Sequence, residues 1–179
     1  MKKIILLLLA FFILESCVVS TAGKVVKTFA TAGYKVVKGT VEGISWTVSK
    51  AKGKIDPDRL DGTWKIVGVY KGTYEDFEND PAPESTADFG GCGSMEIEFN
   101  SKREKFRPVY SSGEKENFVD YKMKYGKNPS SNERENYIQF HSSNYITVVD
   151  ASRKTMVLEG GLVPSMAFNG YKLYLLEKK

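Results

Sequence analysis

From position 55 to the C-terminus, apolar side chains recur at every second residue in short runs, and turn-forming residues interrupt them at intervals of roughly eight to twelve. A period of two puts successive side chains on opposite faces of an extended chain, so each run buries one face and leaves the other to solvent. Runs of this kind cover 62–70, 94–100, 104–110, 117–125, 135–141, 145–150, 155–159 and 171–177. Strands in sequence with short connections predict an all-β fold, an eight-stranded up-and-down antiparallel barrel over 56–179. Closing such a sheet removes both of its exposed edges.

The N-terminus reads differently. Lys2 and Lys3 precede an unbroken apolar run over 4–14, followed by Glu15, Ser16 and Cys17. A basic start, a short apolar stretch and a small residue form the pattern of a secretory leader. Such a run reaches only about 16 Å as a helix, roughly half of a hydrocarbon core. It is therefore read as a segment to be removed rather than as a permanent span. Leu14-Glu15-Ser16-Cys17 resembles the lipobox of bacterial lipoproteins, although Glu15 stands where that motif usually has an apolar or small residue. The resemblance implies a signal peptide over 1–16, lipidation of Cys17, and a lipid-anchored protein of the cell envelope, at the outer membrane. Only Cys92 remains after that modification, so a disulfide scaffold is excluded, and Cys92 within Gly90-Gly91-Cys92-Gly93 receives no role.

Between anchor and barrel the chain is basic. Residues 24–54 carry Lys24, Lys27, Lys35, Lys38, Lys50, Lys52 and Lys54 against Glu42 alone, a net of +6, whereas 55–179 carry 17 basic and 20 acidic residues, a net of −3. Cut every 11 residues, the basic part reads KVVKTFATAGY, KVVKGTVEGIS and WTVSKAKGKID. On a helix that period keeps equivalent positions on one face, aligning Val26, Val37 and Val48. The expectation is an amphipathic helix over 24–54, in a segment running from 17 to 55, which lies on an anionic membrane surface; the alternative is a solvated spacer. The rhythm resembles the surface helices of synuclein-like and apolipoprotein-like proteins. On this reading Trp46 belongs to the membrane helix and not to the barrel.

Leu60-Asp61-Gly62-Thr63-Trp64-Lys65-Ile66 opens the first barrel run, and its Gly-x-Trp resembles the first motif of the lipocalins, in the calycin superfamily. The runs at 145–150, 155–159 and 171–177 resemble the last strands of small bacterial lipocalin-like domains. The family's Thr-Asp-Tyr motif is absent, and the last strand has no arginine. The resemblance implies that Gly62 and Trp64 are structural, with Trp64 plugging the closed end of the barrel, and that Lys172 stands over its ring in place of the arginine.

An eight-stranded barrel either fills with its own side chains or holds one small ligand. The candidate interior is Ile66, Tyr70, Met95, Ile97, Phe99, Phe118, Met123, Ile138, Phe140, Val148, Met156, Leu158, Leu173 and Leu175. Both outcomes stay open. One is an envelope lipoprotein that binds a small hydrophobic ligand, a lipid or fatty acid; the other is a structural or interaction lipoprotein whose filled barrel docks to an envelope protein partner. Catalysis has little to work with: His141 is the sole histidine, and there is no Cys/His metal spacing, phosphate loop or Gly-x-Ser-x-Gly elbow. The acidic stretch over 75–88 lacks the tight oxygen alternation of a calcium loop and reads as a loop at the barrel mouth. No enzyme activity, cofactor, metal or nucleic-acid partner is expected.

Overall fold

A computed structural model describes residues 37–41, 44–85, 94–110, 112–162 and 169–179 of the chain. The strands are β1 (Val37–Val41), β2 (Ile44–Val48), β3 (Gly62–Lys71), β4 (Glu84–Ser85), β5 (Ser94–Asn100), β6 (Lys105–Tyr110), β7 (Val119–Lys127), β8 (Arg134–Phe140), β9 (Asn144–Ala151), β10 (Thr155–Glu159) and β11 (Tyr171–Lys178). Strands β3 and β5 to β11 pair antiparallel in chain order, and β11 returns to β3, closing an eight-stranded barrel. The short β4 adds to β3 at Gly68 and Val69. All eight runs read from the period-two pattern are therefore barrel strands.

The alternation that predicts the strands also builds the core. Ile138 on β8, Ile146 and Val148 on β9, and Met156 and Leu158 on β10 are buried in one cluster that runs from Ile55, Leu60 and Trp64 to Leu162 and Tyr171. The closed end is sealed by the linker after β2. Asn136, 1% exposed, accepts from Ile55 N and donates to the Gly53 carbonyl, both at 2.8 Å, and so holds this stretch across the end of the barrel. A 3-10 turn at Pro57–Arg59 comes next, capped by Asp56, and Leu60 and Trp64 complete the floor.

A second apolar cluster lies on the outside of the wall. Val67, Val149, Val157, Leu173 and Leu175 face away from the interior and are covered by Val37, Val41, Trp46 and Val48, with Tyr74 and Phe77 of the short helix Tyr74–Asn79. Strands β1 and β2 form a two-stranded sheet of their own, with Val37 opposite Val48 and Val41 opposite Ile44. The amphipathic helix expected over 24–54 is thus corrected between Val37 and Val48, where the chain is a β-hairpin; residues 24–36 lie outside the described part. Trp46, assigned to a membrane helix, is 1% exposed against the barrel wall. The physical reason lies in the residues themselves. Val37, Gly39 and Val41 alternate with Lys38 and Thr40, and β-branched residues with glycine favour a pleated strand over a helix. The 11-residue spacing that aligns Val37 with Val48 on a helix also makes them cross-strand partners in the hairpin.

The acidic stretch is also more ordered at its start than a loop. Thr73 caps the helix Tyr74–Asn79 through a capping box with Asp76, each side chain accepting from the other's backbone N–H. Its signal, Thr followed three residues later by Asp, stands in the sequence.

Candidate functional site

The sequence-predicted interior residues divide into three groups. Ile66, Ile97, Phe99, Ile138, Val148, Met156 and Leu158 are buried in the inner cluster, and Met123 and Phe140 pack against it half-buried. Tyr70, Leu173 and Leu175 are corrected, because they belong to the outer cluster, Tyr70 meeting the Phe77 ring edge-on at 5.2 Å. Phe118 is also corrected: it precedes β7, is 38% exposed, and carries the Arg107 guanidinium 4.1 Å from its ring centre. Met95 lies on β5 with its side chain outside the described part, and Cys17 and Cys92 lie outside it altogether.

Register irregularities explain the inversions. The β11–β3 ladder shifts between Tyr171 and Leu173 and again between Leu175 and Leu176. Each bulge admits an extra residue and reverses which side chains face in. Tyr174 and Leu176, both fully buried, therefore point inward where Leu173 and Leu175 were expected. Phe106 and Tyr121 are further inner residues that the sequence reading missed. They form an aromatic group with Phe99, ring centres 5.7 to 6.0 Å apart. The Tyr121 hydroxyl is buried without a hydrogen-bond partner, and burial, with the carboxylates of Glu104, Asp61 and Asp58, pushes its pKa up to about 12.

The closed end is built around Trp64, which is fully buried and donates its indole N–H to the Leu60 carbonyl at 2.7 Å. A cation does stand by its ring, but it is Lys178, whose Nζ is 5.2 Å from the ring centre and 2.7 Å from the Asp61 carbonyl. Lys172 is corrected to an exposed position near the start of β11, because the antiparallel ladder sets Tyr171 against Lys71 and Lys178 against Trp64, which leaves Lys172 at the far end of the strand from that ring. Gly62, with φ +110°, opens β3 directly under the Lys178 chain: a Cβ there would lie 3.0 Å from Lys178 Cε. Glycine is required both for the left-handed backbone and for that approach.

Two grooves lie on the outer wall. One, about 490 Å³, is lined by Thr63, Glu96, Glu98, Tyr110, Lys115 and Lys179, and its charges are paired as Lys179–Glu96, Lys115–Glu98 and Arg107–Glu98. The other, about 380 Å³, lies beside the short helix between Lys50, Glu75, Glu78, Glu133, Glu135 and Glu159. Glu135 is buried, which disfavours its charge. Hydrogen bonds from Ser131, Asn128 and Thr147, with the Lys50 ammonium, outweigh that and hold its carboxyl below the usual range. Burial dominates at Glu159 and pushes its carboxyl up, although its side chain accepts from Tyr74 N at 2.8 Å. His141 is exposed on the turn after β8. Among the described residues no group of three or more His, Cys, Asp or Glu side chains could hold a metal ion.

The fold defines a closed eight-stranded antiparallel up-and-down β-barrel with an extra strand and a hairpin packed on its outer wall. No family model, curated protein or solved structure matches the chain.

Proposed function

We propose that the chain is a lipocalin-like envelope lipoprotein, anchored through Cys17, whose barrel is a non-catalytic docking module. The observation that carries this reading is the continuity of the inner cluster, from Leu60 and Trp64 at the floor to Leu162 and Tyr171 at the other end. Along it Ile66, Ile97, Ile138, Ile146, Met156, Leu158 and Tyr174 are at most 1% exposed. A barrel of this size packed with its own large side chains acts through its surface. Native mass spectrometry of the protein extracted from its own membrane tests the reading. The expected species carries acyl chains on Cys17 and no small ligand, and co-extracts with an envelope protein. A stoichiometric small hydrophobic molecule in the barrel would overturn it. Replacing Cys17 with Ser should release the protein from membranes or stall it as the precursor; normal processing with retained membrane binding would refute the anchor.

A second reading, the binding of a small hydrophobic ligand, is favoured by Val119 and Phe140, which pack half-buried against the core where β7 begins and β8 ends. Such a ligand would be confined to the end of the barrel away from Trp64.

A further inference from the structure

Among the described residues, two sets of cations stand apart. Most of those on the barrel wall have an acidic neighbour: Lys71 with Glu84, Lys105 with Asp120, Arg107 and Lys115 with Glu98, Lys122 with Glu104, Lys179 with Glu96. At the closed end Lys54, Arg59, Lys102, Arg103, Arg153 and Lys154 are exposed, and among the described residues none is within ion-pair distance of a carboxylate.

These residues form one surface. Asp58 and Asp61 bind Ser101, which joins the turn bearing Arg59 to the turn bearing Lys102 and Arg103. Lys178 N donates to the Lys154 carbonyl and Lys178 Nζ to the Asp61 carbonyl, which brings the turn after β9 to the same end. Carboxylates at this end offset part of that charge: Asp56, Asp58, Asp61 and Glu177 are exposed, Glu104 pairs with Lys122 on the wall, and Asp150 acts on Arg59, so the six cations are in excess rather than alone.

The chain also arrives from this side. Val37 lies opposite Val48, three residues before Ala51, whose N–H donates to the Val149 carbonyl near the closed-end terminus of β9. From there the linker passes over the floor under Asn136.

We propose that the closed end is a docking surface for an anionic lipid bilayer, so that the barrel stands on the membrane with Trp64 toward the lipid and the loops after β3, β6, β8 and β10 facing away. Exposed cations in excess over the carboxylates of one end draw that end toward a negative surface, whereas a paired cation brings a compensating charge with it. The orientation deepens the envelope reading, but the contact itself does not need the anchor.

The test uses the whole chain carrying Cys17→Ser, sedimented with vesicles of 70% phosphatidylcholine and 30% phosphatidylglycerol in about 0.1 M salt, where surface charge is screened over about 10 Å. Each cation at an anionic surface strengthens association about fivefold, so Lys102→Glu, Arg103→Glu and Lys154→Glu together should weaken it about 100-fold or more. A wall triple of equal charge change, Lys65→Glu, Lys124→Glu and Lys172→Glu, should weaken it less than about tenfold. Equal losses, or no loss in the floor triple, would overturn the proposal. Should a triple fail to fold, single-cysteine labels at 153 and 115, with both native cysteines replaced by Ser, give the orientation: a quencher on the lipid headgroups should dim the first and spare the second, and the reverse or equal quenching would overturn it. Floor-dependent binding of a chain that cells leave unlipidated would sink the anchor and keep this surface; lipidation without floor dependence would do the opposite.

Discussion

Replacing Trp46 with Ala separates a hairpin packed on a barrel from a helix lying on a membrane. The indole is 1% exposed and belongs to the cluster of Val37, Val41 and Val48 with Val67, Val149, Val157, Leu173 and Leu175. Truncating a buried tryptophan costs about 3–5 kcal/mol through lost contacts and the cavity left behind. Part of that is offset here, because the Trp46 N–H is buried without an acceptor. A buried unpaired donor costs about 1–3 kcal/mol, and this term vanishes with the ring. The net loss is about 2 kcal/mol. With a urea dependence of about 1–3 kcal/mol per molar for a small domain, the unfolding midpoint falls by about 1 M. The assay is urea unfolding of the whole chain carrying Cys17→Ser, without lipid, monitored by far-ultraviolet circular dichroism. Trp64→Ala is the comparator. Its N–H is paired to the Leu60 carbonyl, nothing offsets the truncation, and the full 3–5 kcal/mol, on the order of half the stability of a small domain, should be lost. Trp46→Phe, which removes the unpaired donor and keeps most of the ring, should cost less than about 1 kcal/mol. An unchanged midpoint for Trp46→Ala, or a larger loss there than at Trp64, would refute the packing argument.

Gly68→Ala should loosen the same hairpin, since the new Cβ would lie 2.9 Å from Val41 Cγ2 and 3.2 Å from Leu175 Cδ1; a loss of about 1–3 kcal/mol is expected, partly recovered with Val41→Ala in a double-mutant cycle. Lys178→Met should cost about 0.5–1 kcal/mol by removing the cation over Trp64, whereas Lys172→Met should stay within about 0.5 kcal/mol of the parent, and equal effects in denaturant unfolding would contradict the corrected assignment. Glu159 has its folded pKa raised by burial, so the folded state takes up its proton before the unfolded state does. Its ionisation therefore opposes folding at neutral pH, and stability rises as pH falls through the folded pKa toward the unfolded value of about 4.3. Glu159→Gln should stabilise the protein at pH 7 and flatten this part of the profile; a profile unchanged by the substitution would refute the assignment.

The barrel is legible in the amino acids because its strands are half-buried. Each of the eight runs alternates apolar and polar side chains, and a pattern with the period of the pleat has one structural meaning over that length. Gly62 and Trp64 are readable for a similar reason: a left-handed glycine followed two residues later by an indole at a strand start can serve a barrel floor directly. The capping box from Thr73 to Asp76 was available as well. What the sequence cannot set is parity after a bulge, because one extra residue opposite a partner strand exchanges the two faces without changing composition. This moved Tyr70, Leu173 and Leu175 outside and brought Tyr174 and Leu176 in, while the antiparallel pairing of β11 with β3 gave the place over Trp64 to Lys178, at the end of β11, rather than to Lys172 at its start. The hairpin was ambiguous for a different reason. Valines separated by 11 residues align on a helix, but they also face each other across a turn, and local pattern does not choose between the two. The choice was made by the outward side chains of β9, β10, β11 and β3, an apolar surface that hydrophobicity along the chain does not announce and that Val37, Val41, Trp46 and Val48, folded back as strands, cover together with Tyr74 and Phe77.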